Sequence, residues 1–174
     1  MKKPEPKKKQ PVKDFARNTW TVENYENETL VFEGDDVSKQ IVIKAFACTG
    51  TKFIVKGKIK AISIEGCKKC EIIADLVVST IDVMNSKSIK VSPMVRCGFV
   101  NVECTNEFHL MLTNATRECK LATTCTRGVF VKFPKSGTSE TDEEPQIVSI
   151  PVMETFETHV IGDTIETKPA ESIE

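Results

Sequence analysis

Four consecutive stretches of nineteen residues decide the fold: IVIKAFACTGTKFIVKGKI (41–59), KAISIEGCKKCEIIADLVV (60–78), STIDVMNSKSIKVSPMVRC (79–97) and GFVNVECTNEFHLMLTNAT (98–116). Set beneath one another, they align Ile43, Ile62, Ile81 and Val100 in one column. Ala45, Ile64, Val83 and Val102 stand two places on, with Lys44, Ser63, Asp82 and Asn101 between. Apolar and polar residues alternating at a period of two mark a strand with one buried face. The same step continues the columns to Cys119, Leu121 and Lys120. A second strand repeats the pattern in Phe53, Ile72, Val91, Leu110 and Val129, and in Val55, Ala74, Pro93, Leu112 and Val131. A weaker third edge runs through Ile59, Val78, Cys97 and Thr116.

A register held from segment to segment predicts a solenoid. The expected fold is all-β: a right-handed parallel β-helix of about six coils with a 19-residue period, its hand following the rule for parallel crossovers. Nineteen extended residues make a circuit on the order of 60 Å, about 20 Å per wall, with coils stacked ~4.8 Å apart. A leucine-rich repeat has a similar length, but its Leu-x-x-Leu-x-Leu-x-x-Asn frame does not recur. An antiparallel sandwich gives no reason for a constant register.

At 174 residues the chain accommodates one domain with tails. Residues 1–14 are rich in Lys and Pro and read as a disordered arm; residues 15–134 are the β-helix. Residues 135–145, KSGTSETDEEP, form an acidic linker. Residues 146–167 read as a C-terminal β-hairpin bending near Gly162-Asp163, and 168–174 as a disordered tail. The hairpin is out of phase with the coils, so it can pair with its own helix end or with that of a second molecule.

The 24 Lys+Arg balance 25 Asp+Glu, and no overall field favours nucleic acid or an anionic membrane. No apolar run suits a signal peptide or a membrane span, so a cytoplasmic location is expected. There the seven cysteines are reduced thiols, and the Asn27-Glu28-Thr29 and Asn114-Ala115-Thr116 sequons carry no glycan.

The reactive residues give no catalytic constellation. Cys67-Lys68-Lys69-Cys70 lacks the second ligand pair that zinc needs, with only His109 and His159 elsewhere, so no metal is expected. The step of nineteen puts Cys67 in a ladder with Cys48, Ser86, Thr105 and Thr124 at a turn, with Cys48 and Cys67 within disulfide reach. Asp82 and Asp75 fall on different walls, and Asp82 has Ser63 and Asn101 as column neighbours, too dispersed for acid–base work. Neither His has a nucleophile beside it, His109 sharing an outward column with Lys52, Glu71 and Lys90. No Gly-rich run leads into a helix to hold phosphate. The expectation is a protein-binding module with no cofactor and no enzymatic activity. One outward column, Ile54, Ile73, Ser92, Met111 and Phe130, with Val42, Ala61, Thr80 and Phe99 as a second row, is apolar enough to need a cover, either a terminal segment or a partner.

Five motifs in order then resemble one family. Trp20-Thr-Val-Glu-Asn-Tyr-Glu-Asn27, Lys56-Gly-Lys-Ile59, Cys67-Lys-Lys69, Asn85-Ser-Lys87 followed by Val91, and Ile150-Pro-Val-Met-Glu-Thr-Phe156 are similar to the C-terminal domain of adenylyl cyclase-associated protein, over residues 15 to about 167. The resemblance implies a right-handed parallel β-helix that binds monomeric actin (G-actin, ADP-actin in particular) and promotes its recharging with ATP. It also implies a homodimer formed by exchange of the C-terminal hairpin, with Ile147, Val148, Ile150, Val152, Phe156 and Ile165 at the joint. The family's helical N-terminal domain and Pro-rich middle have no counterpart here. In the tail, the family's Trp-Asn-Gly-Gln-Lys-Leu stretch reads Val160-Ile161-Gly162-Asp163-Thr164-Ile165, keeping only the Gly.

The residues expected to contact actin are Glu23, Asn24 and Glu26 from the first motif, Lys68 and Lys69 at a coil turn, and Asn85, Ser86 and Lys87 one coil on. Lys68 and Lys87 stand one period apart, so they stack as adjacent cations. The bland reading makes all of these turn residues, Asn85 opposite Gly66 suiting a left-handed corner. A reading of another class comes from the related β-helix of tubulin cofactor C, where an arginine finger stimulates a GTPase. Arg96, Arg117 and Arg127 are the arginines in the coils, and none has that motif's Gln-rich setting.

Overall fold

The computed structural model describes residues 9–137 and 145–170. A parallel β-solenoid of six rungs occupies residues 19 to 134, matching the expected fold class. The first wall stacks β2 (Thr19–Glu23), β4 (Val42–Phe46), β6 (Ala61–Glu65), the ends of β7 (Lys68–Met84) and β8 (Lys87–Glu103), and β10 (Lys120–Thr124). The second stacks β3 (Thr29–Phe32), β5 (Lys52–Ile59), the beginnings of β7 and β8, β9 (Asn106–Met111) and β11 (Arg127–Pro134). The third wall is short: Ile59 lies opposite Val77, and Val77 opposite Cys97.

The alternation read from the sequence sets the core. Ile43, Ile62, Ile81 and Val100 are buried, as are Ala45, Ile64, Val83 and Val102, while Lys44, Ser63, Asp82 and Asn101 share the outward register. Each inward side chain is covered by the like residues above and below, so burial is a property of the stack and not of a single coil.

Three departures from the constant step have physical causes. The first rung takes 23 residues, Thr19 standing opposite Val42. Its extra length lies in the third wall, where the 3-10 turn Gly34–Asp36 accepts a hydrogen bond from Trp20 Nε1 on the Asp36 carbonyl at 3.0 Å. The last rung takes 21, Phe99 standing opposite Lys120. Its two added residues lie in the turn held by Thr116, whose Oγ1 accepts from the Thr113 amide and donates to the Pro93 carbonyl. Leu121, not Cys119, therefore continues the Val100 column, and Val131, not Val129, continues the Leu110 column. The outward row is displaced likewise, with Phe130 beside His109 and Lys132 beside Met111. In the third wall, bulges in β7 turn Val77 inward and leave Val78 51% exposed, opposite to the expected edge.

The ends also differ from the expected boundaries. Strand β1 (Val12–Ala16) pairs antiparallel with β2 across Arg17-Asn18, both at positive φ, so ordered chain reaches into the segment read as a disordered arm. Lys13 lies over the Trp20 and Phe32 rings at 4.9 and 4.6 Å and Phe15 packs on Trp20, closing the first rung. At the other end the single hairpin resolves into two units. Strand β12 (Ile147–Pro151) pairs antiparallel with β11 of the same chain, and β13 (Phe156–Ile161) pairs with β14 (Thr164–Pro169) across Gly162-Asp163. Gly162, at φ 60°, takes the first central position of a tight hairpin turn, which only Gly occupies without strain. Most of the acidic linker and the last four residues lie outside the described residues.

Candidate functional site

The corner joining the first and second walls gathers most of the residues predicted to bind a partner. It is built from two left-handed positions three residues apart on every rung. Asn24, Ala47, Gly66, Asn85, Cys104 and Cys125 make one column, and Asn27, Gly50, Lys69, Ser88, Glu107 and Gly128 the other, with φ between 45° and 64°. A left-handed residue reverses the strand within one position, so each pair turns the chain from wall to wall in four residues. Amides of the first column lock it upward: Asn24, Ala47, Gly66, Asn85 and Cys104 donate to the next rung's carbonyls at 2.9 to 3.1 Å.

Between the two columns one residue points in and one points out. The inward ladder is Cys48, Cys67, Ser86 and Thr105, all buried. Ser86 Oγ donates to the Met84 carbonyl at 2.7 Å and accepts from the Cys67 amide at 3.1 Å. Thr105 Oγ1 donates to the Glu103 carbonyl at 2.9 Å and accepts from the Ser86 amide at 3.2 Å. Ser86 therefore stands apart from the other predicted site residues: its hydroxyl is spent inside the corner. Cys70 joins Cys48 and Cys67 in the core, and all seven cysteines are unbridged. Hydrogen bonding to Cys48 and Cys70 holds the Cys67 proton and pushes that thiol well up, and the same bond lowers Cys70 to about 7.

The outward ladder is Glu26, Thr49, Lys68, Lys87, Asn106 and Arg127. Lys68 and Lys87 are exposed and directly opposite one another, and neither forms an ion pair with a described residue. Like charges so placed cost the sheet on the order of 0.2–1 kcal/mol. Lys69 and Asn85, also exposed, flank this pair. Glu23, Asn24 and Glu26 come to the first rung of the same corner, two rungs from Lys68. There Asn24 Nδ2 donates to the Gln10 carbonyl at 3.2 Å, drawing the N-terminal segment against a shallow groove lined by Lys9, Glu26 and Glu28. On the adjoining second wall, Glu71 is held by Lys52 at 3.4 Å and Lys90 at 3.5 Å, and His109 packs edge-on against Phe130 at 5.5 Å. Burial, then Lys132 and Lys90, hold the His109 imidazole below its usual range.

The residues expected at a dimer joint lie elsewhere. Ile147 and Ile150 are exposed on β12, and Phe156 and Ile165 on the terminal hairpin, while Val148 and Val152 are partly buried, Val152 against the core. The three arginines do not converge. Arg117 donates to the Pro134 carbonyl and lies over the Phe133 ring, Arg96 flanks Leu76 on the third wall, and Arg127 ends the corner ladder. Among the described residues no group of three or more His, Cys, Asp or Glu is placed to hold a metal ion, and no helix is long and apolar enough to cross a membrane.

The family model described as adenylate cyclase associated (CAP) C terminal matches residues 9–172. The chain belongs to the CAP C-terminal family. Among curated relatives, this CAP domain is 28% identical over 169 residues to bovine (Bos taurus) adenylyl cyclase-associated protein 1, which covers 97% of the chain and 34% of the relative. It is 29% identical over 165 residues to the human (Homo sapiens) protein 1, at 95% and 33%, and 27% identical over 166 residues to the mouse (Mus musculus) protein 2, at 95% and 33%. The CAP domain thus spans about a third of the length of these relatives. Its fold matches the crystal structure of cyclase-associated protein from Cryptosporidium parvum at a TM-score of 0.79 and 21% identity, over 93% of this chain and 96% of that one.

Proposed function

We propose that this CAP domain binds monomeric actin through the corner between its first two walls and regulates actin turnover, by sequestering the monomer or by promoting exchange of its bound ADP for ATP. The observation that carries this reading is the stacked pair Lys68 and Lys87, held one above the other with neither in an ion pair with a described residue. A fold that keeps two cations in direct opposition supports an external anion as their counterpart, and an acidic protein surface supplies it. Lys69, Asn85 and the first-rung Glu23, Asn24 and Glu26 complete the contact edge. Ser86 is assigned to the corner's own hydrogen bonds. The role is binding, not catalysis, in the cytoplasm and on the actin cytoskeleton.

Dimerisation is the second half of the proposal. Val160 and Ile165 are 79% and 69% exposed in the single chain, with Phe156 and Ile150 also exposed. Such a concentration of bare apolar side chains on terminal strands supports a joint with a second copy. Exchange of β12 between two copies keeps the β11 pairing and presents the terminal hairpin to the partner.

The test is release of a fluorescent nucleotide from ADP-actin with increasing amounts of this domain. A rate that changes up to an equimolar ratio and then levels supports the proposal; a rate unchanged at several-fold excess overturns it.

A further inference from the structure

The two-residue lengthening of the last rung changes which cysteines are neighbours. A constant step of nineteen sets Cys104 beside Thr123. The observed register pairs Glu103 with Thr124 and Asn106 with Arg127, so Cys104 and Cys125 stand directly opposite one another on the last two rungs. Both are left-handed, at φ 45° and 51°, and the Cys104 amide donates to the Thr124 carbonyl at 2.9 Å. Two residues of the same backbone conformation on the same corner send their Cα–Cβ bonds out in the same direction. Adjacent rungs are ~4.8 Å apart, inside the roughly 4.4–6.8 Å Cα separation that a disulfide spans.

Exposure separates this pair from the rest. Cys104 and Cys125 are exposed, whereas Cys48, Cys67, Cys70 and Cys97 are buried and Cys119 is intermediate. The backbone adds a second reason. A left-handed position costs an L-residue roughly 1–2 kcal/mol unless it is Gly or an Asn or Asp that bonds locally. Lower in this column the position is held by Asn24, Gly66 and Asn85, as well as Ala47. Cysteine gains nothing from that conformation, yet it fills the column twice in succession.

We propose that Cys104 and Cys125 form a redox modification site, a surface dithiol that closes to an intramolecular disulfide with glutathione disulfide as the oxidant. The thiolate of one cysteine attacks glutathione disulfide, breaking its S–S bond and releasing one glutathione thiolate. The thiolate of the other then attacks the protein sulfur of the mixed disulfide and expels the second. The two protein thiols lose two electrons, glutathione disulfide gains them, and the two thiol protons end on two molecules of glutathione. The bridge straps the sixth rung to the fifth, one rung beyond Asn85 and at the end of the solenoid that carries β12.

The test is to equilibrate the full chain with glutathione buffers from reducing to oxidising, trap free thiols with an alkylating agent, and map bridged peptides by mass spectrometry. The expected result is a mass loss of two hydrogens, a Cys104–Cys125 linked peptide, and labelling of the buried cysteines only after unfolding. Closing this loop should raise the Tm by roughly 5–10 °C. Cys104→Ser and Cys125→Ser should each abolish the bridge and leave the other cysteine as a single glutathione adduct. Two independent adducts on the unsubstituted chain, or bridges joining either residue to another cysteine or to a second molecule, would overturn the proposal.

Discussion

Replacing Ser86 by Ala separates a structural role for this residue from a role in binding. The hydroxyl makes two buried bonds of unequal replaceability. The Met84 carbonyl also accepts from the Gly66 amide at 3.1 Å, so it keeps a partner. The Cys67 amide has Ser86 Oγ as its partner and loses it in a buried setting. An orphaned buried donor costs about 1–3 kcal/mol, and the lost bond to an acceptor that is otherwise satisfied about 0.5–1 kcal/mol. The sum is a loss of about 1.5–4 kcal/mol. In a chain of this size that lowers the Tm by roughly 3–16 °C, with a matching drop in the urea midpoint at constant slope. Ser86→Cys keeps an acceptor of similar size, as Cys48 and Cys67 do in the same ladder, and should lose less. Actin affinity, measured where each variant is fully folded, should be unchanged. A Ser86→Ala chain as stable as the parent but weakened in actin binding would refute this assignment.

Other perturbations follow from the same geometry. Gly50→Ala should destabilise more than Gly66→Ala in urea titrations: both sit at positive φ, but the added Cβ collides with Asn27 Oδ1 in the first and meets only the Ala47 amide nitrogen, at 4.0 Å, in the second. A chain ending at Lys135 loses β12 and the terminal hairpin, and sedimentation should find it monomeric and the full chain dimeric; a truncated chain that still dimerises excludes those strands as the joint. His109 has a folded pKa below its unfolded one, from burial and from Lys132 and Lys90, partly offset by Glu107. The unfolded chain therefore binds more protons just below the ordinary His range. Stability should fall as pH drops through about 6.5, and this increment should vanish in His109→Gln, which thermal melts from pH 7 to 5 measure.

The parts of the fold legible from sequence were those where every coil has the same length. Ile43, Ile62 and Ile81 announce the inward register because each must cover its neighbours, and Gly66 opposite Asn85 announces the left-handed corner. The step broke where loops absorb length at little energetic cost. The Thr113–Cys119 turn adds two residues to the last rung and the Gly34–Asp36 turn helps add four to the first, and neither disturbs the core columns. That is why Leu121 and Val131 were displaced, and why the Cys104 and Cys125 pair was invisible at a fixed period. Strand β1 was hidden by its Lys-rich surroundings, although Asn18 beside Arg17 is a residue type suited to the left-handed turn that forms there. At the proposed site, the direct opposition of Lys68 and Lys87 was legible from their spacing of one period. The inward direction of Ser86 was available from its place in the Cys48 and Cys67 ladder, but a motif that joins it to Asn85 and Lys87 drew it outward.

The most direct measurement of the central claim is the affinity of ADP-actin monomers for three versions of the full chain: unsubstituted, Lys68→Glu with Lys87→Glu, and Lys44→Glu with Lys120→Glu as a control on the outward face of the first wall. The corner pair should weaken binding at least about tenfold, as expected for loss of about 1.4 kcal/mol or more, and the control pair should leave it within about twofold at the same ionic strength. Equal losses in both variants, or none in either, would contradict the claim.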